Sequence, residues 1–192
     1  MGRARSGVAA PGTAPPDPDS IEAQPPGDPE TVARSICLRQ LEHRARSRGE
    51  LAQTLRKRGV PDDAAVRVLD RFEEVGLIDD TALAGMMAGA QHRERGLARR
   101  AIAAKLGQRG FEAEAVGAAL AGIDADDERA RGLELVVKRQ RALAALPPEV
   151  QTRRLVGLLA RKGYAPGMSY DIVREVLSGA ADAADDVFGE PT

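Results

Sequence analysis

Apolar residues recur along this chain at spacings of three and four, with no run that alternates apolar and polar. That is the signature of helices that bury one face, and it leaves no candidate strand. The stripes come in a repeating order. Leu38, Leu41 and Ala45 make the first, Leu51 and Leu55 the second, and Ala65, Val68, Leu69, Phe72 and Val75 the third. The succession returns as Leu83, Met86, Met87 and Ala90, then Ile102 and Leu106, then Val116, Ala119 and Leu120. It returns again as Leu133, Val136 and Val137, then Leu155 and Leu159, then Val173, Val176 and Leu177. The pattern predicts an all-α chain of three tandem three-helix repeats, helix-turn-helix-like, over residues 31–78, 79–123 and 124–180.

The middle helix of each triplet carries a recurring ending. The segments LAQTLRKRGV (51–60), IAAKLGQRGF (102–111) and LVGLLARKGY (155–164) share an aliphatic residue, a Leu four positions on, then a base, a Gly and a bulky apolar residue. The glycines, Gly59, Gly110 and Gly163, lie 51 and 53 residues apart. Each segment reads as a helix C-terminus. The base favours the negative end of the helix dipole, the Gly allows a left-handed residue, and the apolar residue folds back on the helix. Ser47 and Glu50 form a capping box that starts the first of these helices, and Pro61 with Asp62 and Asp63 opens the next. The Asp79-Asp80 and Asp126-Asp127 pairs read as caps and dipole complement, and Leu146-Pro147-Pro148 and Pro166-Gly167 as turns. Two-helix tetratricopeptide and ankyrin arrays repeat at about 33–34 residues, too short for this period.

Composition sharpens the picture. With 3% aromatic residues and no Trp, the core must be built from Leu, Val, Ile, Met and Ala. Residues 1–30 hold Pro11, Pro15, Pro16, Pro18, Pro25, Pro26 and Pro29 among Gly, Ala and Asp, and are predicted to be a disordered tail. Residues 181–192 read as an acidic flexible tail. Cys37 alone cannot form an internal disulfide and suits a reducing cytoplasm. It sits beside Ile36 and Leu38, the setting of a buried inert thiol. No stretch approaches the roughly 18 apolar residues of a membrane span, and no signal peptide is evident.

A formal net charge of −1 excludes a bulk attraction to nucleic acid or anionic lipid, so the distribution of charge matters more than its sum. Bases concentrate at Arg56, Lys57 and Arg58, at Arg93, Arg95, Arg99, Arg100, Lys105 and Arg109, and at Arg153, Arg154, Arg161 and Lys162. One reading is a solvated face with dipole complement at helix ends. The other is a discontinuous positive surface for an acidic protein groove or for phosphates. Sequence-specific DNA reading is disfavoured because the last helix of a helix-turn-helix unit needs donors, and 112–123 contains no Lys or Arg. The last helix of the first triplet carries Asp62, Asp63, Asp70, Glu73 and Glu74 against Arg67 and Arg71. Non-specific contact with DNA through the middle helices stays open. Catalysis finds no support, since His43 and His92 are isolated from nucleophiles and from metal-ligand spacings, and no phosphate-binding loop occurs. No metal, cofactor or catalytic residue is expected.

The order and spacing of residues 47–80, 93–111 and 155–177 resemble the RecX family, bacterial regulators of the RecA recombinase. The resemblance covers about residues 32–178. It implies an elongated, curved, monomeric array that lies in the groove of the RecA–DNA filament. There it would limit filament growth, ATPase, strand exchange and coprotease activity, gripping through the basic positions named above. The chain departs from the family after Asp79-Asp80, where aromatics and then a Ser-Arg pair are common. Here stand Leu83, Met86, Met87 and Ala90-Gln91. The rival readings are a non-specific nucleic-acid-binding module and a helical scaffold for another partner.

Overall fold

The computed structural model describes the backbone of residues 27–188 and the side chains of residues 27–179. Every regular element among them is helical. The first triplet is α1 (Pro29–His43), α2 (Arg48–Lys57) and α3 (Asp62–Glu74). The second is α4 (Asp80–Arg95), α5 (Arg99–Gln108) and α6 (Ala113–Ala121). The third is α7 (Ala125–Gln140), a single 3-10 turn (Arg141–Leu143), α8 (Pro148–Lys162) and α9 (Pro166–Phe188).

Local chemistry sets the helix boundaries. The Ser47 hydroxyl accepts the Glu50 N–H while the Glu50 carboxylate accepts the Ser47 N–H, which is the expected capping box. Asp124 and Asp127 form a second one at α7, so Asp126-Asp127 lie inside its first turn and Asp124 is the cap. Asp79 caps α4 by accepting the Ala82 N–H at 2.8 Å. The three signature glycines are all left-handed, with φ of 73°, 78° and 92° at Gly59, Gly110 and Gly163. At each, the bulky residue's N–H returns to a carbonyl one turn back: Val60 to Leu55, Phe111 to Leu106, Tyr164 to Leu159. That pairing is the Schellman ending, which satisfies carbonyls a helix would leave open.

Burial sorts into three hydrophobic clusters. Leu51 and Leu55 centre the first with Ala33, Ile36, Cys37, Val68, Leu69 and Phe72. Ile102 and Leu106 centre the second with Ala84, Ala88, Phe111, Ala115 and Ala119. Leu155 and Leu159 centre the third with Val136, Tyr164, Ile172 and Val173.

Several inward stripes differ from the pattern read in the sequence. Leu38, Val75, Met86 and Val137 are exposed, and Ala45 lies beyond the end of α1. The inward face is held instead by Ala33, Ile36 and Cys37 in α1 and by Ala84 and Ala88 in α4. A small side chain lets neighbouring backbones approach, and the larger neighbour turns outward. Pro61 is the residue before α3 rather than its first, whereas Pro166 and Gly167 open α9 and are not a separate turn. A proline is tolerated there because the first helical N–H has no partner to lose.

Two tails were expected. Residues 1–26 of the first lie outside the described residues, and the remainder is structured: Asp28 accepts the Thr31 N–H and Pro29 begins α1. At the other end the backbone of α9 stays helical to Phe188, past the predicted boundary at 180. The run Ala180, Ala181, Ala183 and Ala184 has the highest helix propensity available and no proline to stop it. Residues 189–192 lie outside the described residues.

Candidate partner interface

The middle helices α2, α5 and α8 meet end to end, and these joints determine which basic side chains remain available. At the first joint the C-terminus of α5 abuts the N-terminus of α2. The Ser47 hydroxyl donates to the Arg109 carbonyl at 2.6 Å. The Arg109 guanidinium closes on Glu50 through two bonds, 3.1 Å from Nε to Oε1 and 2.7 Å from Nη2 to Oε2. The same guanidinium lies 5.8 Å from the centre of the Phe111 ring. The Arg48 N–H donates to Asp80 Oδ1 at 2.9 Å, so the second triplet caps the first. Gly49 and Gly110 sit back to back: a Cβ on Gly49 would stand 2.3 Å from the Gly110 carbonyl oxygen.

The second joint repeats this with α8 against α5. The Ala98 N–H donates to the Lys162 carbonyl at 2.9 Å, and the Arg99 N–H to Glu128 Oε1 at 3.1 Å. A Cβ on Gly163 would stand 2.6 Å from that of Ala101. The Tyr164 hydroxyl donates to the Gly96 carbonyl at 3.3 Å, and Lys162 Nζ to that of Arg95. At both joints the negative end of one helix dipole faces the positive end of the next, which is favourable.

Ionisation reflects the packing. Burial by itself raises the Glu50 carboxyl, but the Arg109 bond and the Ser47 N–H outweigh it and hold the group below its usual range. Burial raises Asp80, and the Arg48 N–H offsets this only in part. Burial pushes the Tyr164 phenol up to about 12 and the Cys37 thiol up to about 11, which keeps that sulfur protonated and unreactive. His92 is buried with Nδ1 3.1 Å from the Leu97 carbonyl, so it serves the fold. Among the described residues no group of three or more His, Cys, Asp or Glu is placed to hold a metal ion.

The predicted basic positions divide in two. Arg109 and Lys162 are committed to the joints, and Arg99 lies half-buried beside Glu128. Arg56, Lys57, Arg58, Arg93, Arg95, Arg100, Lys105, Arg153, Arg154 and Arg161 are exposed. Of all the predicted basic positions, only Arg109 and Arg56, the latter 3.9 Å from Asp62, have a carboxylate within 4.0 Å among the described residues. By contrast Arg67 and Arg71 on α3, Arg129 and Arg131 on α7, and Arg174 on α9 all face acids. Unneutralised charge is therefore concentrated at the end of α4 and on the middle helices, with further cations that have no carboxylate within 4.0 Å among the described residues at Arg34 and Arg39 on α1, Lys138 and Arg139 on α7, and Arg46 and Arg141.

Part of it converges. A cleft of about 570 Å³ between the second and third triplets is lined by Arg95, Lys105, Lys138 and Lys162. Glu94 and Glu134 also line it, and Glu134 is already paired with Arg131. Lys138 was not among the sequence candidates. Its only signal was the short basic run Lys138-Arg139 on a helix that lacks the Gly ending. Arg153 and Arg154, at the start of α8, do not line this cleft.

Fold and surface together define a class, a head-to-tail array of helical triplets with an unneutralised basic surface. Residues 33–72 match the family model for RecX, first three-helix domain. The chain is 46% identical over 156 residues to Regulatory protein RecX of Streptomyces coelicolor, covering 81% of this chain and 83% of that one. It is 45% identical over 165 residues to Regulatory protein RecX of Mycolicibacterium smegmatis, covering 84% and 88%. Its fold is similar to the crystal structure of RecX from Lactobacillus salivarius, with a TM-score of 0.71 at 17% identity over 78% of this chain and 97% of that one. The chain belongs to the RecX family. No helix among the described residues is long and apolar enough to cross a membrane.

Proposed function

We propose that this protein is a cytoplasmic regulator of a RecA recombinase. It binds the RecA–DNA filament as a monomer and restrains filament growth, and with it ATPase, strand exchange and coprotease activity. The triplets 31–78, 79–123 and 124–180 are its structural units. The observation that carries the reading is the set of exposed cations on the middle helices and in the cleft beside α5, which lack acidic partners among the described residues. Unpaired surface charge does little for stability and is well suited to meeting a partner of opposite sign. Family membership supplies the kind of partner. Contact with DNA alone is weak and non-specific, because α6 has no basic residue and the array offers few aromatics for base stacking.

The test is reversal of the cleft charges, Arg95→Glu, Lys105→Glu and Lys138→Glu together. These side chains are exposed, so each substitution shifts stability by no more than about 0.5 kcal/mol. Inhibition of filament ATPase is expected to disappear with the helical dichroism unchanged. Arg99 is left out because it is half-buried and its backbone N–H is held by Glu128 at the second joint. A folded triple variant that inhibits at the wild-type concentration removes the cleft from the interface. Stronger binding to bare DNA than to filaments at physiological salt overturns the RecA reading itself.

A further inference from the structure

Each middle helix ends in the same base–Gly–apolar unit, and two of the three endings are occupied. The end of α5 receives the N-terminal turn of α2, and the end of α8 receives that of α5. The end of α2 receives nothing among the described residues. Arg58, which corresponds to Arg109, is exposed and its guanidinium has no hydrogen-bond or ion-pair partner there, and none of the described residues lies within 4 Å of where a Gly59 Cβ would be. The backbone is nevertheless prepared in the same way: Gly59 is left-handed, Val60 is buried, and both Schellman bonds are made.

We propose that the open end of α2, formed by Arg58, Gly59 and Val60, docks the first turn of a helix carried by the partner filament. The proposal deepens the RecA reading and rests on it. The first joint gives the chemistry of the occupant. It has a hydroxyl at the N-cap to reach the Arg58 carbonyl, a small residue two positions on to lie against Gly59, and a carboxylate three positions on to take the Arg58 guanidinium. At the second joint the base is Lys162 and the third position is Ala101, so no carboxylate is engaged. An arginine at the open end matches the first joint, where the fork of N–H donors holds both carboxylate oxygens.

No free turn of this chain supplies that set of residues. Ser47-Arg48-Gly49-Glu50 is the one place in the sequence with Ser or Thr, any residue, Gly or Ala, then Asp or Glu. In a second copy that turn is already covered by its own Arg109 and Gly110. The undocked N-terminus of α8 begins Pro147-Pro148-Glu149-Val150, which offers no hydroxyl, no N–H at the cap and no carboxylate at the third position.

The experiment measures binding of the full chain to RecA–single-strand-DNA filaments for the wild type, Arg58→Glu, Arg58→Lys, Gly59→Asn and Lys57→Glu. Arg58→Glu is expected to weaken binding by about tenfold or more, the scale of losing a charge-assisted pair. Arg58→Lys loses part of that because the fork is gone. Gly59→Asn, which keeps the left-handed residue but fills the approach, weakens binding too. Lys57→Glu makes the same charge change one residue away and has a smaller effect. Equal losses for Lys57→Glu and Arg58→Glu, or none for Arg58→Glu, overturn the proposal. Should the wild type fail to bind filaments, the RecA reading fails. The docking face is then decided by a stapled helical peptide copying residues 44–58, titrated into the full chain by NMR. Shifts at the Arg58–Val60 amides that vanish in Arg58→Glu support docking, and their absence overturns it.

Discussion

Where the second triplet meets the first, a guanidinium closes on a carboxylate across two facing glycines. Where the third meets the second, an alanine N–H and a tyrosine hydroxyl each reach a carbonyl, and a glycine lies on an alanine. Both joints bring the carbonyl before the signature glycine to a donor at the N-cap of the preceding middle helix. Both also cap the first helical N–H with a carboxylate from the next triplet, Asp80 in one and Glu128 in the other. The backbone geometry is thus the constant part, and the side chains around it are alternative ways of holding it.

The largest effect should come from glycines that separate the joints from the open end. Gly49 is an ordinary helical residue, where alanine would normally stabilise by roughly 0.5–1 kcal/mol. At the joint its Cβ would overlap the Gly110 carbonyl, so Gly49→Ala should instead destabilise by about 2–3 kcal/mol and expose the Arg48 amide to hydrogen exchange. Gly59→Ala meets none of the described residues and carries only the strain of its positive φ, about 1–2 kcal/mol, with no change at either joint. If the two variants lose equal stability, the glycines serve turns alone.

Next in size is the ion pair. The side chains of Arg109 and Glu50 are 25% and 17% exposed, so removing the guanidinium leaves a largely dry carboxylate, and Arg109→Ala should lose about 2 kcal/mol. The pair also gives the first joint a pH dependence. The Glu50 carboxyl is held below its unfolded value, so its stabilising contribution is present above that value and is lost as pH falls through the folded one. Asp80 is shifted upward and works in the opposite direction, so the comparison should be made within a pair of variants. The stability gap between wild type and Glu50→Gln should narrow as pH falls below about 4.3. A gap that is constant from pH 6 to pH 3 would show that the pair contributes nothing.

The smallest effect belongs to the second joint. Tyr164→Phe removes one hydroxyl bond of 3.3 Å and should lose about 1 kcal/mol, with faster exchange at Ala98 and none of the salt sensitivity expected of the first joint. Loss of exchange protection at Arg48 in that variant would mean that the joints open together.

Much of the fold was legible because its signals are local. A left-handed glycine after a base, an apolar residue that folds back and a capping box each act within one turn, and the signature residues Leu51, Leu55, Ile102, Leu106, Leu155 and Leu159 are all buried. The stripes on the outer helices were less legible because alanine is weakly apolar. Met86 offers far more apolar surface to bury than Ala84, yet Ala84 is buried and Met86 is 66% exposed. The joints were not legible at all. The sequence shows Ser47 only as a local cap, but its second bond reaches 62 residues along the chain. Arg109 reads in the sequence as a surface base and stands half-buried against Glu50. Gly49, a poor choice for the start of a helix unless something approaches it, was the available clue.

Because every joint sets the rear of one triplet against the front of another, the array has a direction. It has no twofold axis, and reversing it along a partner would present different groups at every position. Front-to-rear contacts of this kind leave an unmatched face at each end of an open array, so such arrays can lengthen by duplication of a unit. At the α8 end a proline pair removes the donor that the next joint would need. At the α2 end the acceptor carbonyl, the left-handed glycine and the arginine are all retained. A chain of this design therefore keeps the groups that a fourth triplet would need at its amino-terminal side, and lacks them at the other side until both Pro147 and Pro148 are replaced.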